Sequence, residues 1–169
     1  MEYHQVEIQS IESLTHNVKK IITTKPSGYA FQPGQATDVA IDKETWREEW
    51  RPFTFTSLPE DDYLEFTIKC YRDHRGVTRE VEQLNLGDDL RLGDPWGAIT
   101  YKGPGIFLAG GAGVTPFISI FRQLSREDKL QGNALLFFNH TRQDVILEDF
   151  WKSHLGPNFH SCLTEEGDS

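Results

Sequence analysis

Hydrophobic and polar residues alternate with period two over much of the first hundred positions, and the period changes after that. Alternation puts successive side chains on opposite faces of a strand. Residues 64–71, LEFTIKCY, show it best, with Leu64, Phe66 and Ile68 on one face. Residues 51–57, RPFTFTS, set Arg51, Phe53 and Phe55 on one face and Thr54 and Thr56 on the other. Pro52 cannot donate to a ladder, so this strand is expected at an edge or bulge. Further short strands are predicted at 6–10, 18–23, 37–41, 89–92 and 98–101, with one short helix at 78–84. Pro26-Ser27-Gly28, Pro33-Gly34, Leu58-Pro59 and Gly93-Asp94-Pro95 supply turns between them. Short strands spaced by turns suggest a barrel or sandwich, and a six-stranded antiparallel β-barrel is expected.

Beyond residue 102 the pattern differs. Residues 106–110, IFLAG, form an unbroken apolar run, as for a strand buried on both faces. Val114, Phe117, Ile118, Phe121 and Leu124 follow helical spacing, and ALLFF at 134–138 reads as a second buried strand. A second helix is predicted at 147–155 and a third strand at 159–163. Strands alternating with helices imply a parallel sheet with right-handed crossovers. The boundary falls near Lys102-Gly103-Pro104-Gly105, giving a β unit over 1–102 and a parallel α/β unit over 103–169. Three strands are fewer than the roughly five or six of a doubly wound sheet, so this second unit is expected to be partial.

Composition narrows the chemistry. Net charge is −9, which disfavours binding to a phosphate backbone, so nucleic acid is not an expected partner. Two cysteines, Cys70 and Cys162, are too few to hold an iron–sulfur cluster of four thiolates. The six histidines, His74 among them, show no metal-binding spacing. No apolar run is long enough to span a bilayer and no charged-then-apolar leader opens the chain, so a cytoplasmic location without a membrane span is expected.

Two stretches carry candidate chemistry. In LAGGAGVTPF, 108–117, an apolar strand runs into glycines, and Thr115 and Pro116 are expected at the N-cap and first position of a helix. Such a loop offers backbone amides to an anion, and a pyrophosphate is the natural guest. The plainer alternative is a tight strand-to-helix turn with no ligand. In RPFTFTS, a cation, aromatic rings and hydroxyls in succession match a flavin nucleotide: phosphate, flat ring system, and ring N5 with its neighbouring carbonyl. A surface strand with core-facing phenylalanines is the alternative there.

Taken together and in this order, RPFTFTS and GGAGVTP resemble the ferredoxin–NADP reductase superfamily, of the flavodoxin/ferredoxin reductase type, and the likeness runs over residues 5–166. The family's Arg-x-Tyr-Ser motif falls on Arg51-Pro52-Phe53-Thr54, with Phe for Tyr and Thr for Ser. The resemblance implies that Arg51 holds the flavin phosphate, Phe53 packs on the flavin and Thr54, the catalytic candidate, bonds near N5. Ile68-Lys69-Cys70-Tyr71 resembles the strand whose backbone lines the isoalloxazine, which brings in Ile68, Lys69 and Tyr71. Gly76-Val77-Thr78 is a shortened likeness of the loop that caps the second phosphate, so FAD is expected rather than FMN. Gly87-Asp88 and Asp94-Pro95-Trp96-Gly97 match a further family segment, with Trp96 read as core packing.

Gly110, Gly111, Gly113, Thr115 and Pro116 then correspond to the pyrophosphate site of NAD(P)H. Asn139, Thr141, Arg142 and Asp144 lie where the family reads the adenosine ribose. Arg142 either meets a 2′-phosphate, favouring NADPH, or is a solvated loop residue, as His140 is read to be. The implied activity is hydride transfer from NAD(P)H to FAD, with electrons passed on to a ferredoxin- or flavodoxin-like carrier or a small acceptor. Lys69, Arg72, Arg75, Arg79, Arg91 and Lys102 offer a basic docking face for such a carrier, or are simply scattered solvated cations. No counterpart of the family's Cys-Gly-Pro strand and closing helix is present in the 169 residues. That departure favours the rival reading, a non-enzymatic flavin- or nucleotide-binding module.

Overall fold

Nine strands and three α-helices form around two apolar clusters in the computed structural model, which describes residues 2–73 and 75–165. His74 and residues 166–169, touched above by the histidine count and by the reading of the chain's end, lie outside the described residues.

The first six strands are β1 (His4–Thr15), β2 (Val18–Thr24), β3 (Ala36–Ile41), β4 (Arg51–Thr54), β5 (Tyr63–Lys69) and β6 (Asp89–Leu92). They make one antiparallel sheet in the order β4-β3-β6-β1-β2-β5. β1 serves two neighbours: His4 to Glu7 pairs with β6, and Ile8 onward pairs with β2. Register irregularities after Ile8 and after Ser13 let it bend between them. The sheet curls without closing. Its edges, β4 and β5, meet at one isolated bridge between Phe55 and Phe66, backed by the Thr56 N–H donating to the Glu65 carbonyl at 2.8 Å. The expected six-stranded antiparallel barrel is thus present as a curled sheet that is not closed, because no ladder joins β4 to β5 beyond that bridge. As Pro52 implied, β4 is an edge.

Leu64, Phe66 and Ile68 face the first core, as their alternation predicts, and so does Phe55. Phe55 is fully buried and stacks on Phe31 with ring centroids 4.2 Å apart. Tyr29 meets Phe55 edge-on and donates its hydroxyl to the Gly93 carbonyl at 2.7 Å. Burial pushes that phenol up to about 12.

Residues 98–101, expected as a strand, are irregular. Gly97 and Gly103 both adopt positive φ, at 119° and 122°, which breaks the extended run. The segment crosses Gly34 instead: φ is +98° there, and a Cβ would collide with the Ile99 carbonyl oxygen. Trp96 is 47% exposed rather than in the core, and it contributes through a backbone bridge to Ala36.

The later strands, β7 (Ile106–Gly110), β8 (Ala134–Asn139) and β9 (Phe159–Leu163), form a parallel sheet in that order. Helices α2 (Thr115–Arg126) and α3 (Glu148–Leu155) supply the crossovers, and the earlier α1 (Val77–Glu80) is one turn continued by a 3₁₀ turn to Gln83. Val114, Ile118, Phe121, Leu135, Phe137 and Trp151 form the second core. Trp151 is fully buried and donates its indole N–H to the Ile146 carbonyl at 2.8 Å.

The expectation that β7 and β8 are buried on both faces fails. Ile106 is 71% exposed, Leu108 63% and Phe138 42%. The reason is topological. Strand order runs one way, and right-handed crossovers taken in one direction lay both helices on the same face. A helix reaches the other face only after strand order reverses.

Candidate functional site

The gap left between β4 and β5 is a cleft of about 190 Å³. Pro52, Phe53, Thr54, Thr67, Ile68 and Lys69 line its strand sides, and Thr78, Ala112 and Thr115 close it from α1 and from the glycine loop. Beyond the Phe55–Phe66 bridge, alternate backbone N–H and C=O groups along the two edges have no ladder partner. A flat heterocycle with a hydrogen-bonding rim fits that geometry. Thr54 and Thr67 line it from facing edges. Thr67 was missed from sequence, although period two counted back from Lys69 reaches it.

The remaining predicted residues of this half are placed unequally. Arg51 is exposed and donates to the Trp50 carbonyl at 2.7 Å and to Glu49 Oε2 at 3.2 Å, outside the cleft. Phe53 leans on the first core as well as bordering the cleft. Val77 is 2% exposed, so its side chain belongs to the core. Gly76 instead borders a neighbouring cleft with Trp46, Arg75 and Arg79. Cys70 is buried, and burial pushes its thiol up to about 11, which leaves it unreactive.

A second cleft, of about 320 Å³, lies over the ends of β7 and β8. Gly110, Gly111, Ala112, Asn139, Asp144 and Thr164 line it. Lys69, Tyr71 and Ala112 border both clefts, so the two adjoin there. Lys69 Nζ lies 5.7 Å from the Tyr71 ring centroid at their junction.

The glycines decide between a turn and a ligand site. Gly110 has φ −123° and ψ 122°, which any residue adopts. Neither it nor Gly113 has a neighbour within 4 Å of where a Cβ would stand. Only Gly111, with φ +49°, needs glycine for its backbone. Sterics within the chain thus explain one glycine of three, and the empty space over the others suits a close-approaching ligand. Asn139 points the same way. It is 6% exposed, and both polar atoms of its buried amide lack a hydrogen-bond partner. Such an amide costs ~1–3 kcal/mol until something fills the role.

Thr115 was expected as N-cap, but residues 111–114 form a 3₁₀ turn continuous with α2. Val114 is the N-cap, and Thr115 is the first helical residue, with Pro116 beside it. Thr141 and Asp144 form a capping box on the 3₁₀ turn 142–144, with the Thr141 N–H and hydroxyl donating to Asp144 Oδ2 at 3.0 and 2.9 Å. Burial opposes ionisation of Asp144, but the Thr141 bonds, His16 and Lys69 outweigh it and hold the carboxyl below its usual value. Arg142 Nε lies 3.7 Å from Glu148 Oε1. His140 is largely exposed, as expected, beside Glu165 at 3.2 Å.

The six cations do not make one free face. Arg91 is 13% exposed and held by Asp42 at 3.0 Å, and Arg72 is engaged by Glu82 at 2.9 Å. Among the described residues no cluster of three or more His, Cys, Asp or Glu suits a metal. No helix among them is long and apolar enough to cross a membrane.

Comparison with known proteins accords with this geometry. The family model for an FAD-binding domain matches residues 3–96, and that for an oxidoreductase NAD-binding domain matches 107–162. The reductase component of propane 2-monooxygenase from Rhodococcus jostii is 27% identical over 97% of this chain and 46% of its own length. The ferredoxin–NAD(P)(+) reductase component of the naphthalene 1,2-dioxygenase system of Pseudomonas putida is 25% identical over 82% of this chain and 42% of its own. The chain thus spans about half the length, or less, of these relatives. A ferredoxin NADP+ reductase from Neisseria gonorrhoeae, solved with FAD and NADP, shares the fold with a TM-score of 0.85 at 17% identity, covering 100% of this chain and 71% of that one. The chain belongs to the FAD-binding domain family, with an oxidoreductase NAD-binding region following it, within the ferredoxin–NADP reductase superfamily.

Proposed function

We propose that this chain is the flavin- and nucleotide-binding part of an NAD(P)H-dependent flavoprotein reductase. The observation that carries the reading is that the two clefts adjoin at Lys69, Tyr71 and Ala112. A dinucleotide lying on the glycine loop can reach a ring lying between β4 and β5 without leaving the protein. When bound, FAD accepts the hydride that NAD(P)H gives up and relays its electrons to an acceptor.

Residues of the chain bind, orient and exclude water. Thr54 offers a hydroxyl near the reactive ring nitrogen, and the backbone of Ile68, Lys69 and Tyr71 faces the ring. Arg51 turns to the flavin phosphate. Its present pair with Glu49 is exposed on both sides, so releasing it costs less than ~1 kcal/mol. Gly76, Val77 and Thr78 present amides to the second phosphate. Gly110, Gly111, Gly113, Thr115 and Pro116 receive the pyrophosphate of the nucleotide, and the unpartnered Asn139 amide meets its ribose side, with Arg142 nearby. Thr141 and Asp144 shape that loop through their capping box. Holding donor and acceptor together can contribute ~7–11 kcal/mol of the barrier.

Residues 1–102 act as the flavin unit and 103–169 as the nucleotide unit. The onward acceptor is a ferredoxin- or flavodoxin-like carrier or a small molecule. Two free thiols, one of them buried, suit the cytoplasm. The test is spectral: load the chain with FAD, exclude oxygen, and add NADH and NADPH separately. Bleaching of the yellow supports the reductase. A colour that persists with both nucleotides favours the non-catalytic binding module.

A further inference from the structure

RPFTFTS divides into two halves. Pro52, Phe53 and Thr54 border the cleft, whereas Thr56 and Ser57 are fully buried and serve Glu65. The Thr56 hydroxyl donates to Glu65 Oε1 at 2.7 Å, and the Glu65 N–H donates to Ser57 Oγ at 3.0 Å. The Glu65 side chain is 5% exposed. Its charge partner comes from the other sheet's helix: Arg122 Nη1 donates to Glu65 Oε1 at 2.7 Å and to the Thr56 carbonyl at 2.6 Å. On the opposite side, Thr56 Oγ1 lies 3.4 Å from Thr67 Oγ1, and Thr67 lines the flavin-side cleft.

Arg122 belongs to a polar stripe on α2. Ser119, Arg122 and Arg126 are three and four residues apart, so they share one side of the helix. Ser119 Oγ accepts from the Gly34 N–H at 3.1 Å, and Arg126 reaches Glu60 and Asp61, each at 3.1 Å. Ile118 and Phe121 commit another side of α2 to the second core. The helix is thereby fixed to both sheets, and the glycine loop is its leading end.

A buried ion pair is weak evidence for stability, since apolar side chains of similar volume often do as well. Its particular contribution is geometry, because a guanidinium satisfies two fixed acceptors in only one placement. We infer that Arg122 and Glu65 are positioning residues for hydride transfer: their clasp sets the separation of the glycine loop from the cleft beside Thr54 and Thr67. This rests on the reductase reading. Neither residue borders the flavin-side cleft or the nucleotide cleft.

The test uses the FAD-loaded chain with Arg122→Gln, Arg122→Lys and the double variant Glu65→Gln/Arg122→Gln, which leaves no stranded charge if the single variant folds poorly. Flavin bleaching is followed by rapid mixing against increasing NADH or NADPH without oxygen. The limiting rate per bound flavin should fall about a hundredfold in Arg122→Gln, as for a displacement near 1 Å. Flavin content and half-saturation should hold, and Arg122→Lys should recover part of the rate. A purely structural lesion would lower flavin content and leave the rate per flavin alone. Separately, spin labels on Glu44→Cys and Asp149→Cys, both exposed positions, report the spacing of the two sheets in a Cys162→Ser background. One narrow distance should broaden in Arg122→Gln. An unbroadened distance, or an unchanged limiting rate in a reducible protein, overturns the clasp. A wild-type flavin that stays oxidised under both nucleotides overturns the reductase reading instead.

Discussion

Replacing Gly110 by alanine should move stability and nucleotide binding in opposite directions. Its backbone, at φ −123° and ψ 122°, is one that alanine adopts without strain, and a Cβ there meets nothing within 4 Å. Restricting the unfolded chain at such a site stabilises by ~0.4–1 kcal/mol. In a domain of this size each kcal/mol moves Tm by about 2–4 °C, so Gly110→Ala should melt about 1–4 °C higher. The same methyl enters the space proposed for the pyrophosphate. Overpacking a fixed neighbour costs ~1–3 kcal/mol. The dissociation constant for NAD(P)H should therefore rise about five- to 150-fold. Scanning calorimetry and titration calorimetry on the same preparation read both quantities. Gly111→Ala is the internal contrast, because its φ of +49° makes alanine cost ~1–2 kcal/mol. A lower Tm for Gly110→Ala would return the glycine to a turn-forming role, and an unchanged dissociation constant would remove the pyrophosphate from this loop.

Thr54→Ala should keep the yellow colour while slowing flavin reduction up to about tenfold, the equivalent of one hydrogen bond of ~0.5–1.5 kcal/mol; an unchanged rate and potential would take Thr54 out of the chemistry. Arg51→Glu should abolish flavin uptake on dialysis against FAD, and full uptake would refute the phosphate contact. Phe55→Ala removes a fully buried ring stacked on Phe31 and should cost ~3–5 kcal/mol by urea denaturation. Cys70 and Tyr29 both keep their protons more tightly in the folded chain, up to about 11 and about 12 against model-peptide values of 9.0 and 10.0. Their contribution is complete below pH 9 and is lost as pH rises toward 12, so Tm should decline across that window, and Cys70→Ala should delay the first part of the decline.

Alternation and turn residues made the strands legible where each segment carries its own pattern, as in LEFTIKCY, whose three apolar residues do face the core. Helix α2 was legible because its apolar spacing continues directly from the glycine loop. What escaped depended on partners distant in sequence. An apolar run such as IFLAG says nothing about how many faces will be covered, since crossover handedness and strand order settle that. Curling without closure was hidden for the same reason: Phe55 and Phe66 show no sign that their bridge stands alone. Within the candidate site, the glycine loop and Thr54 could be singled out because their sequence patterns are local, and both border a cleft. Glu65 and Arg122 lie 57 residues apart, and each read alone is an ordinary charged residue. Thr141 and Asp144, read as ribose-side contacts, also have the three-residue spacing of a cap, and Asp144 borders the nucleotide cleft as well.

Leu14 and Val18, at the tip of the first hairpin, belong to the second apolar cluster, which also holds Phe121 and Trp151, rather than to the first. The chain thus stitches its opening turn into its last core. Severing it at the 102–105 link would strip apolar cover from both fragments at once. Heating should accordingly give a single calorimetric peak, and neither fragment should melt cooperatively by itself.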